Sequence, residues 1–212
     1  MCGIFGIVGE RANRHAGSSG RRAVEHRGPD ADGLWTDGKV VFAHSRLSIL
    51  DLSADANQPF FQNEQQVITY NGEIFNFEEL RRELAADFQF KTSSDTEVLY
   101  RLLEKWGRQG LRRLNGMFAF GYYDRTQKKL LLVRDRFGIK PLYFFHDRRG
   151  LIFSSEQKAI YRFIEEGIDE NLSTNDAIID LLARASDAFS NAQKALLEGC
   201  LLYTSPSPRD RG

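Results

Sequence analysis

Cysteine is almost missing: Cys2 and Cys200 are the two in 212 residues. Two thiols make no disulfide framework, and their scarcity predicts a reducing, cytoplasmic setting. Excess charge is missing too, since 29 Lys+Arg balance 29 Asp+Glu for a formal net charge of +0. That balance argues against a polyanion binder, so no nucleic-acid partner is expected. No apolar run approaches the length of a bilayer span, so no membrane partner is expected either. The first residues lack the basic and apolar regions of a signal peptide. The four histidines, His15, His26, His44 and His146, show no metal-ligand spacing, and no metal site is predicted. No internal repeat is evident.

What is present is the composition of a globular chain, 42% hydrophobic and 27% charged. The length suits one large domain, or a domain plus a fragment. Residues 4–8 form a short apolar run between glycines and read as a buried strand. A helix is expected over 14–26, weakened by Gly17 and Gly20, and strands over 40–43 and 67–70. Asn76-Phe77-Glu78-Glu79 and Ser94-Asp95-Thr96-Glu97 read as capping boxes opening helices to about Ala86 and Trp106. Strands follow over 117–123, 129–134, 142–145 and 151–153, separated by hairpin turn signals. Helices are expected over 156–163 and 174–185. Strands grouped in hairpins and helices in blocks predict antiparallel sheets layered with helices, not alternating βαβ units. Phe, with 16 residues, clusters in these strands as large anchors between layers would. Trp35 and Trp106 read as core.

The position of Cys2 carries the chemistry. If Met1 is removed, Cys2 combines a thiol and a free α-amino group on one residue. A thiol attacks as thiolate, with an intrinsic pKa of about 8.5, and an α-amine of pKa near 8 takes its proton without a histidine. A small residue favouring Met removal, or a buried strand cysteine, accounts for Cys2 equally well on its own. Five further segments are polar or glycine-bearing where packing alone would not ask for it. They are His26-Arg27-Gly28-Pro29-Asp30-Ala31-Asp32-Gly33, His44-Ser45-Arg46-Leu47-Ser48-Ile49-Leu50-Asp51, Tyr70-Asn71-Gly72-Glu73-Ile74-Phe75-Asn76, Ser93-Ser94-Asp95-Thr96-Glu97, and 134–143 from Arg134-Asp135 to Lys140-Pro141-Leu142-Tyr143.

With Cys2-Gly3-Ile4-Phe5-Gly6, these segments resemble the class II glutamine amidotransferase domain, an N-terminal-nucleophile hydrolase. The His-Arg-Gly-Pro-Asp-x-x-Gly and Arg-Leu-Ser-Ile-x-Asp forms resemble its glutamine-hydrolysing asparagine synthetase branch. The resemblance spans about residues 2–160. It implies an α+β fold, a four-layer α/β/β/α sandwich of two antiparallel sheets. It also implies hydrolysis of glutamine to glutamate and ammonia through a γ-glutamyl thioester on Cys2. Asn71 and Gly72 would form the oxyanion hole, although Asn-Gly is also the commonest tight hairpin turn. Arg46 would grip the substrate α-carboxylate in a bidentate fork, and Glu73 and Asp95 the α-ammonium. Asp95 could equally cap a helix. Leu47 and Ile49 would line the pocket mostly by main chain, or be plain core strand. Arg27, Asp30 and Asp32 read as braces of the loop closing over glutamine. Arg134, Asp135, Lys140 and Pro141 read as scaffold and domain contact.

The amidotransferase domain is expected over 2–163, a linker or start of a synthetase region over 164–199, and an artefactual tail over 200–212. The stretch from Cys200 to Asp210 resembles a translated sequencing-library adapter, so a truncated reading frame is expected. No Ser-Gly-Gly-x-Asp-Ser type pyrophosphate loop occurs. The glutaminase domain is expected to need no cofactor. ATP and Mg would belong to the missing C-terminal synthetase domain, the partner beside glutamine, and a homodimer is an open assembly. Two alternatives stand: a glutaminase domain of a related amidotransferase that modifies a sugar, peptide or antibiotic precursor, and a non-catalytic binding domain. A β-lactam-synthetase-like relative would be expected to lack Cys2.

Overall fold

The computed structural model describes residues 1–165 and 200–203. Its strands are β1 (Gly3–Gly9), β2 (Ala31–Thr36), β3 (Val40–Arg46), β4 (Gln66–Ile74), β5 (Gly116–Asp124), β6 (Lys129–Arg134), β7 (Tyr143–Asp147), β8 (Gly150–Ser154) and β9 (Cys200–Tyr203). Its helices are α1 (Arg14–Ala23), α2 (Phe77–Leu84), α3 (Asp95–Trp106) and α4 (Gln157–Glu165). One sheet has the order β2-β3-β1-β8-β7 and the other β4-β5-β6-β9.

Side-chain alternation along the strands makes four layers. Phe5 and Ile7 of β1, Val41 and Ala43 of β3 and Ile152 of β8 pack against α1 and α4 in one apolar cluster. Ile68 and Tyr70 of β4, and Phe118, Phe120 and Tyr122 of β5, pack against α2 and α3 in another. The intervening positions, among them Ile4, Val40, Phe42, Val67, Ala119, Leu132 and Phe153, meet between the sheets. Helix layers therefore cover the outer face of each sheet, the expected α/β/β/α sandwich. Phe42 and Phe153 meet edge-to-face there, with centroids 5.4 Å apart.

Several local expectations need correction. The first helix stops at Ala23, and a separate 3₁₀ turn covers Glu25–Arg27. Gly17 and Gly20 serve it rather than weaken it: a Cβ on Gly17 would meet Val41 at 2.4 Å, and one on Gly20 would meet Phe5 at 2.3 Å. They let α1 lie close on the sheet. β2 is a strand that the Asp- and Gly-containing segment around it hides; pairing with β3 makes it one. Asn76 does not cap α2. Its side chain turns to a distant loop instead, accepting from the Asn115 N–H at 3.0 Å and donating to the Arg113 carbonyl at 2.9 Å. Cys200–Tyr203, the start of the segment read as an artefactual tail, pair in parallel with Leu130–Val133. The open edge of β6 supplies the unpaired backbone groups that make this possible. The helix expected over 174–185, nearly all of the linker, and residues 204–212 lie outside the described residues.

Candidate active site

The site lies at one end of the layer between the sheets. On β3 the inward row runs Val40, Phe42, His44, Arg46, and on β4 it runs Val67, Thr69, Asn71. Both rows pass from apolar to polar toward the same end. A cavity of about 290 Å³ opens there. All eight residues singled out from the sequence line it: Cys2, Arg46, Leu47, Ile49, Asn71, Gly72, Glu73 and Asp95.

Cys2 immediately precedes β1, and backbone contacts hold it. Its Sγ accepts from the Leu47 N–H at 3.4 Å and donates to the Leu47 carbonyl at 3.6 Å. Arg27 Nε donates to the Cys2 carbonyl at 3.0 Å, and Arg27 Nη1 to Glu156 at 3.1 Å. Burial pushes the Cys2 thiol above its ordinary range. The Leu47 N–H, the N-terminal ammonium and Arg46 work against that, and Asp95 adds to it. A thiol held protonated at rest needs a base before it attacks.

Asn71 is 2% exposed, and its Nδ2 finds no hydrogen-bond partner among the described residues. A buried amide donor left free beside a cavity is costly unless something in the cavity accepts from it. Gly72 follows on β4 opposite Phe118. A Cβ at Gly72 would lie 2.4 Å from the Met117 carbonyl oxygen and 2.7 Å from the Phe118 Cα, so only glycine lets β4 and β5 close here.

Arg46 is buried, and three of its five N–H groups are occupied by the loop that follows. Nη1 donates to the Ser53 carbonyl at 2.8 Å and to Asn57 Oδ1 at 2.7 Å, and Nη2 donates to the Asp51 carbonyl. Nε–H and the second Nη2–H remain, the side-on fork that fits a carboxylate. No carboxylate pairs with Arg46 among the described residues. Asp51 ties the same loop down, accepting from the Ser93 N–H at 2.7 Å and from Ser93 Oγ at 3.0 Å. The Ser53 side chain chiefly, and the backbone and hydroxyl of Ser93 with it, hold the Asp51 carboxyl well below its usual range. Asp30 Oδ2 accepts from the Ser48 N–H at 2.7 Å, a brace of the expected kind. Asp32 instead pairs with Arg21 at 3.1 Å.

Asp95 is the first residue of α3, but Ser94 is its cap, accepting from the Glu97 N–H at 3.3 Å. Glu97 does not complete a capping box, for its carboxylate turns to the Thr92 N–H at 2.7 Å and Thr92 Oγ1 at 2.8 Å. Relieved of capping, Asp95 Oδ2 accepts from Tyr70 Oη at 2.6 Å and from the Ile74 N–H at 3.0 Å. Burial pushes its carboxyl up, against the Tyr70 and Ile74 hydrogen bonds. A bound cation would relieve that burial. Glu73 is exposed at the cavity rim, and Ile49 is 74% exposed, so Ile49 is no core-strand residue.

Sequence reasoning missed Tyr70, Gln58, Asp51 and Lys140 as cavity residues. Tyr70 directly precedes Asn71 and Asp51 closes the Arg46 segment, so adjacency was a usable signal for both. Gln58 offered none; its Oε1 accepts from the Tyr70 N–H at 2.7 Å. Lys140, read as scaffold, is buried and reaches the cavity from the loop after β6. Arg134 and Asp135 are scaffold. Asp135 accepts from the N–H groups of Phe137, Ile139 and Lys140 at 2.9–3.0 Å. Among the described residues no cluster of three or more His, Cys, Asp and Glu could hold a metal, and no helix is long and apolar enough to cross a membrane.

The sequence profile of the glutamine amidotransferase domain matches residues 1–205. The chain is 39% identical over 165 residues to Asparagine synthetase B [glutamine-hydrolyzing] of Escherichia coli, covering 76% of this chain and 30% of that protein. It is 40% identical over 168 residues to Asparagine synthetase [glutamine-hydrolyzing] 2 of Bacillus subtilis, covering 76% of this chain and 22% of that one. The chain thus spans less than a third of the length of these two curated relatives. Among solved structures, the glutamine phosphoribosylpyrophosphate amidotransferase of B. subtilis in complex with ADP and GMP superposes with a TM-score of 0.66. That match is at 24% identity and covers 76% of this chain and 43% of the other, so it bears on the fold.

Proposed function

The chain belongs to the glutamine amidotransferase domain family, and we propose that its cavity hydrolyses glutamine to glutamate and ammonia with Cys2 as the nucleophile. The observation that carries this is the buried, partnerless Asn71 Nδ2 lining one cavity with the Cys2 thiol, the free fork of Arg46 and the Asp95 carboxylate. Opposite charges suit the α-carboxylate and α-ammonium of an amino acid. The free amide donor suits an oxygen that becomes negative during reaction.

After removal of Met1, the Cys2 amino group takes the thiol proton and the sulfur adds to the glutamine side-chain carbonyl carbon. The carbonyl oxygen becomes an oxyanion facing Asn71 Nδ2 and the Gly72 backbone. Collapse breaks the C–N bond, and the amino group returns its proton to the departing nitrogen, releasing ammonia. A water then gives a proton to the same amino group and attacks the thioester carbonyl. Glutamate leaves and the Cys2 thiol is restored. No cofactor takes part in these steps.

The likeness to asparagine synthetases favours a parent enzyme in which this ammonia aminates aspartate, in a synthetase region beyond the described residues where ATP and Mg would act. A related amidotransferase with another acceptor remains the second reading. Met1-processed protein should release glutamate and ammonia from glutamine without ATP, and Cys2→Ala should reduce release to background while leaving the melting temperature unchanged. Glutamine binding without turnover in the processed parent would make this a binding domain. Near-normal turnover in Cys2→Ala would refute the nucleophile.

A further inference from the structure

Lys140 is a buried cation that pairs with no carboxylate among the described residues. It is 7% exposed, and its Nζ donates to the Met1 Sδ at 3.3 Å, its one hydrogen-bond partner among the described residues. Burying an ammonium against a thioether is unfavourable unless something else compensates. Its position is built rather than incidental. Asp135 Oδ2 accepts from the Lys140 N–H at 3.0 Å, and Arg134 Nε donates to the Lys140 carbonyl at 2.9 Å. Asp135 is itself buried and also accepts from the Phe118 N–H at 3.2 Å, which anchors the loop to β5. The Arg134-Asp135 segment thus fixes the stem of a lysine whose head lines the same cavity as Cys2.

Met1 is the residue that must leave for Cys2 to acquire its amino group. Resting on the glutaminase reading above, we propose that Lys140 is a further residue of that site, whose ammonium, freed when Met1 is removed, faces the Cys2 amino group and sulfur, keeps the amine free to act as base and favours the thiolate. A neighbouring positive charge disfavours a protonated amine and favours a thiolate. Both effects ready Cys2 at neutral pH. The other charged or titratable groups around the cavity are Arg46 from β3, Asp51 from the loop after it, Tyr70 and Glu73 from β4, and Asp95 from α3, with Arg27 on the Cys2 carbonyl. Asp51, Glu73 and Asp95 push the amine and thiol the opposite way, so a cation on the Met1 side has something to counter.

The test compares Met1-processed parent, Lys140→Met and Lys140→Arg, with processing checked by intact mass. Glutaminase activity and the rate of Cys2 alkylation by iodoacetamide are each followed against pH. Lys140→Met should lose about tenfold in kcat/KM at pH 7, and its acid limb and alkylation midpoint should both move up by roughly one pH unit. Lys140→Arg, which keeps the charge, should retain the parent's limb. If Lys140→Met gives no soluble protein, Lys140→Gln carries the same comparison. Lys140→Met with the parent's pH profiles and only a lower melting temperature would make Lys140 scaffold and overturn the proposal. So would a Lys140→Arg profile shifted as far as that of Lys140→Met. A parent that releases no glutamate at any pH would instead sink the glutaminase reading itself.

Discussion

The two ends of the layer between the sheets obey the same alternation and come to opposite results. At one end Val40, Phe42, Val67, Leu132 and Phe153 are all 2% exposed or less and fill the space with apolar contact. At the other, Cys2, Arg46, Asn71 and Asp95 surround a cavity of about 290 Å³. Neither sheet changes architecture between them. Only the inward-facing residues change, and with them the purpose of the space. The filled end stabilises; among the described residues the open end keeps a buried donor without a partner and a buried arginine without a carboxylate. Such groups cost stability and are retained where a ligand completes them. Substitutions at the two ends should therefore separate activity from stability.

The largest effect is expected at the open end. Asn71→Ala should lower kcat by ~10²–10³, with KM nearly unchanged, because the donor acts on the developing oxyanion. Its melting temperature should not fall, since the amide has no partner to lose at Nδ2. A pure KM effect, read from steady-state kinetics, would make Asn71 a substrate clamp instead. At the filled end Phe153→Ala should cost about 3–5 kcal/mol of stability by denaturant unfolding. The kcat of the molecules that remain folded should stay close to the parent's. Loss of kcat in proportion to stability would mean that the two ends are not separable.

A smaller effect sharpens the comparison within the site. Arg46→Lys keeps the charge but cannot form the side-on fork. Loss of a charge-assisted hydrogen bond of about 1.5 kcal/mol corresponds to roughly tenfold in KM for glutamine. An unchanged KM would move the α-carboxylate away from Arg46.

The smallest concerns the outside of the site, where Glu156 holds Arg27. Burial raises the Glu156 carboxyl, but hydrogen bonds from Lys158, Arg27 and His26 outweigh it and bring the group from 4.5 down to about 2. A carboxyl lowered on folding contributes stability that is fully present above pH 4.5 and is lost as pH falls toward 2. The Glu156 side chain keeps 22% of its exposure and its partner His26 keeps 52%, so the cluster sits at the surface and screening holds the effect to about 1 kcal/mol. Unfolding midpoints taken between pH 6 and pH 3 should fall less in Glu156→Gln than in the parent. Equal slopes would show that Glu156 contributes nothing measurable.

Much of this was legible in the sequence because it is local or periodic. The apolar run over 4–8 and the turn-bounded runs over 117–123 and 129–134 mark strands, and Cys2 with the polar segments, through their family resemblance, points to eight of the residues that line the cavity. What escaped depends on distant partners. β2 exists because β3 pairs with it. Asn76 and Glu97 look like helix caps but answer to Asn115 and Thr92. Gln58 and Lys140 enter the cavity from loops whose paths only the fold sets. Asp95 illustrates both sides: its place in a capping-box segment was readable, but that Ser94 takes the cap and leaves Asp95 to Tyr70 was not.

The most direct test of the central claim is to catch the covalent intermediate. Met1-processed protein would be mixed with glutamine, quenched in acid within the first turnover, digested and analysed by mass spectrometry. The account predicts a γ-glutamyl adduct on the N-terminal peptide, carried by Cys2 and absent from Cys2→Ala. Glutamate release with no adduct on Cys2, or with an adduct on another residue, would contradict it.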